Sequence, residues 1–483
     1  MNEAICEIGI VGLGSVGACL ALNIADHGYS VAAYDGNETA LDNLRVEIEG
    51  KRIEAAKTLT EFVSLLRKPR TVMIVLPAGL LVGDMINSLL AVLSAGDLII
   101  DAGNSYFKDT DVRLNMLAGK GIELLGVGIA KRERGARLGM SIMPGGSKRA
   151  YDHVRHILED IATEVNGEPC VTYLGPRSAG HYVEMVYAGI EQAVIQLIAE
   201  TYCLMSRALG MSDAALQEVY TLWSDSEVNS NLLGIIAGTT PDNDGGIIGT
   251  LFELVGDDAA KNGSGSWASL EARDLNVSTP TIDIALAMRM LSSHEEGRLA
   301  LRRLFIRRPV YYVGKLDILI EQTRRALYAG MILTFAQGLA LLRVASDVYK
   351  YDLALEDVAR IWRGSMVRSS LLQDVCDAFY VRPHLRTLLS DPQFAHCLQA
   401  RREDLSDVVR LSVEHGIPAP ALTASLIFYD AHRRPGPDDP QASAHQLVGG
   451  YSEDTKGRDG TGTTGEAGNR SLTQKHSARR IFT

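Results

Sequence analysis

"IGIVGLGSVG", residues 8–17, decides the fold. A short run of β-formers leads into Gly12-Leu13-Gly14-Ser15-Val16-Gly17, a G-x-G-x-x-G, and helical periodicity follows to Asp26. A second strand-like run, "SVAAYD" (30–35), ends in Asp35. Strand, glycine turn, helix and strand with a terminal acid form the dinucleotide fingerprint. Gly12 makes the turn, Gly14 lets backbone approach a pyrophosphate, and Gly17 lets helix and strand pack closely. The helix start at Ser15 and Val16 offers amides and partial positive charge to phosphates. Asp35 suits a ribose 2′-hydroxyl and repels a 2′-phosphate, which points to NAD over NADP. Two plainer readings stand beside this one: a glycine turn in an empty doubly wound domain, and an aspartate that only ends a strand.

Outward from this stretch, "TVMIVLP" (71–77), "DLIIDAGNS" (97–105), "IELLGVGIA" (122–130), "MSIMPGG" (140–146) and "CVTYLG" (170–175) alternate with helical patterns. That alternation predicts an α/β Rossmann domain over 1–177, with a doubly wound, mostly parallel sheet. From Ser178 helical periodicity takes over, beginning with a long segment that Gly210 should stop. Residues 178–434 are expected to form a large all-α domain. "RRPGPDDP" (433–440) breaks the pattern, and the tail 435–483 is rich in Gly, Ser, Thr and charge. It is expected to be largely irregular, or held only by a partner subunit.

A net charge of −11 argues against a nucleic-acid partner, which calls for a basic footprint. The six cysteines are scattered without a C-x-x-C pair, as in a reducing compartment, and no metal site is expected. No basic-then-apolar leader opens the chain, and no stretch reaches about 18 uninterrupted apolar residues. The expectation is a cytoplasmic protein with a small-molecule substrate and no membrane partner.

The long helix opens with "HYVEMVYAGIE" (181–191), in which Glu184, Tyr187, Ala188 and Glu191 share one face. Around it, "DAGNS" (101–105), "GARLGMSIMPGG" (135–146), "GEPC" (167–170), "GSGSW" (263–267), "MLSS" (290–293), "RRALYAG" (324–330), "AQGLALLR" (336–343), "IWRG" (361–364) and "FYD" (428–430) occur in order. Over roughly residues 5–430 the chain resembles the 6-phosphogluconate dehydrogenase (decarboxylating) family. The resemblance implies a Rossmann domain, a helical domain and a homodimer built on the helical part.

The resemblance also marks departures. The family's lysine, its general base and acid, falls at Glu184. Its substrate-holding histidine and asparagine fall at Tyr187 and Ala188, while its second acid is retained as Glu191. A serine and two glycines of the substrate loop become Ala130, Lys131 and Arg132. In the phosphate subsite Ser264 and Arg289 match, but the tyrosine and lysine positions read Gln192 and Asn262. A C-terminal arginine and histidine lack counterparts near Gln446 and Ser452. On the cofactor side Asn104 is kept. Leu76, Pro77 and Ala78 follow the strand at 71–75, with Pro77 where the family has lysine or glutamine. Asp35 and Gly36 replace an asparagine–arginine pair.

Glu184 becomes a competent acid or base where burial and the like charge of Glu191 raise its pKa, with Tyr187 as proton donor. A carboxylate also suits a protonated C=N bond. Three readings follow. The first is an NAD(P)-dependent oxidoreductase with an altered substrate, a hydroxy acid or its keto or imine counterpart. The second is a non-catalytic NAD(H)-binding scaffold or regulator. The third is a decarboxylating phosphogluconate dehydrogenase with a non-lysine base.

Overall fold

The computed structural model describes residues 5–130, 133–239, 246, 247, 249, 250, 263–293 and 311–433. Lys131, Arg132, Asn262 and the tail 435–483 lie outside the described residues. The glycine fingerprint sits where the sequence puts it, between β1 (Ile8–Val11) and α1 (Ser15–Asp26). Then come β2 (Val31–Tyr34), α2 (Glu38–Glu47), β3 (Ile53–Ala55), α3 (Leu59–Ser64), β4 (Thr71–Ile74) and α4 (Leu80–Leu89). β5 (Leu98–Asp101), α5 (Phe107–Ala118), β6 (Glu123–Ala130), α6 (Glu133–Leu138), β7 (Ser141–Gly146) and α7 (Lys148–Asp160) complete the sheet region. The strand order is β3-β2-β1-β4-β5-β6-β7, and only β7 runs antiparallel, against β6.

Alternate β1 residues face opposite layers, which is why the strand is apolar throughout. Ile8 and Ile10 pack with Leu20 and Ile24, while Val11 packs with Phe62 and Ile86. The order reverses between β1 and β4, so a crevice opens beyond their carboxyl ends. "CVTYLG" is not a strand of this sheet. Val171 makes only a single bridge to Ile142, and a two-stranded ribbon of β8 (Glu164–Val165) and β9 (Glu168–Pro169) precedes it.

The helical region starts with α8 (Ala179–Ala208). Gly210 follows it with φ 65°, and the Met211 amide turns back to the Met205 carbonyl. Next are α9 (Asp213–Ser224), α10 (Asn231–Ala237), α11 (Ser264–Asp274), α12 (Pro280–Ser293), α13 (Leu316–Tyr349) and α14 (Leu355–Trp362). α15 (Ser370–Val381), α16 (Pro392–His415) and α17 (Pro420–His432) close the region. α8 is apolar nearly all round because it is enclosed all round: α11, α12 and α13 pack on it, and its first half lies on β6 and β7. Sheet and helices thus form one compact unit ending at His432. α13 is long and apolar enough to cross a membrane by length and composition, a length the sequence reading did not credit, yet 83% of its apolar window is buried here. The six cysteines are all thiols.

Inside this core, Glu200 of α8 accepts the Ala421 and Leu422 amides at 2.8 and 2.9 Å, closing the first turn of α17. Gln196 also donates to it, at 2.8 Å. Burial outweighs these bonds and pushes its carboxyl up to about 7. A folded-state pKa above the unfolded value means stability that is present below about 4.5 and lost as pH rises through about 7. Glu200→Gln keeps one acceptor for the two amides and does not titrate, so its stability relative to the parent should rise by about 3 kcal/mol between pH 5 and pH 8, read from urea midpoints.

Candidate functional site

The crevice floor is the glycine loop. Gly12 has φ 93°, and a Cβ there would lie 2.3 Å from the Val75 carbonyl oxygen. At Gly17 a Cβ would lie 1.9 Å from the Gly12 carbonyl oxygen, so α1 meets the loop through bare backbone. Gly14 differs: nothing lies within 4 Å of its Cβ position, and it starts α1 without a side-chain cap. Ser15 is exposed and Val16 half-buried beside it. An open cradle under uncapped amides fits a dinucleotide pyrophosphate.

Asp35 does more than the sequence suggested. Its Oδ2 accepts the Leu13 amide at 2.6 Å and its Oδ1 the Asn37 amide at 2.8 Å. The carboxylate therefore ties the end of β2 to the glycine loop and remains half-exposed at the crevice edge. Leu76 lines the other side of the loop, close to Gly12, and its carbonyl oxygen would lie 2.3 Å from a Cβ on Gly103. Pro77 is exposed and Ala78 half-buried beyond it.

Asn104 stands at the end of β5 in left-handed backbone, φ 51°. Its Oδ1 accepts the Ile129 amide at 2.9 Å, and its Nδ2 donates to the Ile129 carbonyl and to Glu184 Oε1, both at 3.1 Å. Glu184 is 4% exposed. It fits there because Gly128 of β6 has no side chain: a Cβ would lie 2.4 Å from that of Glu184. The "GVG" of 126–128 was a visible signal for this close approach that the motif reading passed over.

Tyr187 was expected to serve Glu184, and the structure corrects this. The phenol donates to Glu191 Oε1 at 3.1 Å and accepts the Met366 amide at 3.2 Å, with its ring against Trp362. Burial, then the Glu191 charge, raise its pKa well above the ordinary value, so it keeps its proton. The helix face thus splits into two pairs, Glu184 with Asn104 and Tyr187 with Glu191. His181, one turn earlier, is a buried strut: its Nδ1 meets the Thr110 hydroxyl at 2.7 Å and its Nε2 the Asp101 carbonyl at 3.0 Å.

Farther along α8, Gln192 is buried against α11, close to Gly265. Ser264 opens α11 after Gly263, at φ 68°, and is 7% exposed. Arg289 is half-buried on α12, and burial lowers its pKa. Such a guanidinium suits an anion. α8 packs on both α11 and α12, so Ser264 and Arg289 belong to helices flanking the one that carries Glu184. Among the described residues no cluster of His, Cys, Asp and Glu suits a metal ion.

Comparison with known proteins gives a consistent result. Residues 7–175 match the NAD binding domain of 6-phosphogluconate dehydrogenase, and residues 180–439 match that enzyme's C-terminal domain. The decarboxylating 6-phosphogluconate dehydrogenase of Lactococcus lactis subsp. lactis (strain IL1403) is 39% identical over 430 residues, covering 88% of this chain and 91% of that one. The NADP(+)-dependent, decarboxylating enzyme of Bacillus subtilis (strain 168) is 38% identical, covering 88% and 92%. Among solved structures, Plasmodium falciparum 6-phosphogluconate dehydrogenase, studied in its apo form and with NADP+ or 6-phosphogluconate, aligns with TM-score 0.85 at 32% identity. That alignment covers 94% of this chain and 99% of that one.

The glycine geometry separates folding from binding. Gly17→Ala should destabilise the chain by about 2 kcal/mol or more, since backbone blocks the new methyl. Gly14→Ala should keep the parent melting temperature and weaken dinucleotide binding about tenfold. Thermal melts and fluorescence titrations of the two variants distinguish these effects.

Proposed function

Because the chain belongs to the 6-phosphogluconate dehydrogenase family of NAD(P)-dependent oxidoreductases, we propose that it is an oxidoreductase of that family with an altered substrate site. It acts on a hydroxy acid or on its keto or imine counterpart. The observation that carries this reading is the buried Glu184 carboxylate, bonded to Asn104 beside the crevice where the family has a lysine.

The residues divide the work. Gly12, Gly14, Ser15, Val16 and Gly17 hold the pyrophosphate, with Leu76, Pro77 and Ala78 along the crevice wall. Asp35 accepts from the ribose. The dinucleotide supplies hydride acceptance or donation. Asn104 orients Glu184, and Glu184 takes the proton from the substrate's hydroxyl or amine as hydride leaves. In the reverse direction its charge stabilises an iminium, the C=N bond protonated on nitrogen, whose carbon accepts the hydride. Tyr187 keeps its own proton and aims Glu191. Ser264 and Arg289 take the anionic end of the substrate, and Lys131 and Arg132, which lie outside the described residues, are counted with them as substrate-binding cations on the resemblance alone. A homodimer through the helical part belongs to this reading.

A preference for NAD is part of the proposal. The Bacillus subtilis relative is NADP(+)-dependent, but Asp35 opposes a 2′-phosphate and Gly36 offers no cation to receive one. NADH should bind at least about tenfold tighter than NADPH, roughly 1.4 kcal/mol, in parallel titrations; equal or reversed affinities would remove Asp35 as the selector. With a turned-over substrate in hand, Glu184→Gln should lower kcat by about 10²-fold or more and leave NADH binding intact. Unchanged turnover would take Glu184 out of the mechanism.

One second reading has specific support. The relatives' own activity, together with Ser264 and Arg289, favours decarboxylating oxidation of 6-phosphogluconate with Glu184 as the base. Release of carbon dioxide with cofactor reduction from that compound would establish it.

A further inference from the structure

α5 begins just beyond Asn104, and α11 begins at Ser264, the position proposed to hold the anionic end of the substrate. Their sole charged tie among the described residues is unusual. Lys108, in the first turn of α5, places Nζ 3.1 Å from Glu271 Oε2 and 3.6 Å from Asp274 Oδ2 on α11. Glu271 is 1% exposed, and its other oxygen accepts from the Tyr349 hydroxyl at the end of α13. Glu271 lies seven residues after Ser264, on the same helix face. Aromatic rings flank the group on one side. Lys108 Nζ sits over Tyr106 and Phe107, and the Tyr106 ring meets Trp267 of α11 at 4.8 Å.

An apolar contact between these helices would hold them at least as stably, because the buried Glu271 carboxylate loses most of its Coulomb gain to desolvation and the Lys108 side chain, 46% exposed, is screened by solvent. What the pair adds is register. A buried carboxylate tolerates one position relative to its cation, and displacement leaves an unpaired charge inside the protein. Burial lowers the Lys108 pKa, but the bonds to Glu271 and Tyr106 raise it further, so the cation persists. The register it fixes is that of Asn104 against Ser264.

We propose that the Lys108–Glu271–Tyr349 cluster couples α5, which follows Asn104, to α11, which begins at Ser264. Lys108 and Glu271 are positioning residues that transmit dinucleotide occupancy, sensed at Asn104, to the start of α11 where substrate is held. Neither residue touches a ligand.

The test is hydrogen–deuterium exchange on the full chain, without ligand and with saturating NADH or NADPH, whichever binds tighter. In the parent protein, dinucleotide should slow exchange in the glycine loop and, by about fivefold, in 264–274. Lys108→Met should keep protection in the glycine loop and lose it in 264–274, and Lys108→Arg should restore it. A purely structural role would lower the melting temperature of Lys108→Met but leave the protection of α11 in place. That result would overturn the proposal, as would a parent in which bound dinucleotide never protects α11. Should Lys108→Met fail to fold, Lys108→Met with Glu271→Gln removes both charges, keeps the Tyr349 bond and is read in the same way. Failure of both dinucleotides to bind would overturn the cofactor reading and this proposal together.

Discussion

The structure depends on one contact made almost without side chains, the seating of α8 on the β6–β7 pair. A Cβ on Gly180 would lie 2.1 Å from the Met143 carbonyl oxygen and 2.4 Å from that of Gly126. A Cβ on Gly128 would collide with Glu184. Helix backbone therefore rests directly on strand backbone, where most helix–sheet layers are held apart by interdigitated side chains. This approach brings the long central helix of the helical region to the carboxyl end of β5, within reach of Asn104. His181 fastens the same junction with hydrogen bonds in place of apolar volume. Every functional statement about Glu184 follows from this closeness, because a helix one methyl farther out would leave the carboxylate short of Asn104.

The acid-bearing face gains its chemistry from the division between its two carboxylates. Glu184 is turned toward the dinucleotide region by Asn104. Glu191 is turned away, toward the segment around Met366, by a phenol that remains protonated. Tyr187 thus stands between two carboxyl groups two turns apart on one helix face and links the second to the α14–α15 connection. A histidine in that place would titrate near neutral pH and change the charge of the face. The phenol fixes it.

Much of this was legible in the sequence, for local reasons. The glycine fingerprint, the alternating strands and the break at Ser178 are short-range patterns, and each maps onto an element with the spacing expected. The misses are non-local or small. β3 has three residues and a mixed pattern. "CVTYLG" is β-rich and runs along the free edge of β7, with backbone bonds at Cys170, Leu174 and Gly175, yet only Val171 forms a bridge, so it is not a regular strand. The shared face of Glu184 and Tyr187 was correct, but periodicity gives direction and not reach, and the long phenol found Glu191 at i+4. The Lys108–Glu271 pair joins residues far apart in the chain, so no local pattern announces it.

Asp35 shows how recognition and folding become inseparable at such a site. In the proposed function its carboxylate is a selector, an acceptor for one cofactor and a repellent for another. In the fold it also satisfies the Leu13 amide inside the glycine loop and the Asn37 amide at the start of α2. Replacing it to admit a 2′-phosphate would leave both amides without their acceptor, loosening the loop whose shape forms the pyrophosphate cradle. A compensating cation is not close in sequence: Gly36 and Asn37 follow, and the first arginine, Arg45, is paired with Asp42. On the proposed reading, cofactor preference is therefore set not by one exchangeable side chain but by a small hydrogen-bonded unit that must change together, with selection at the ribose and geometry at the phosphates altered in the same step.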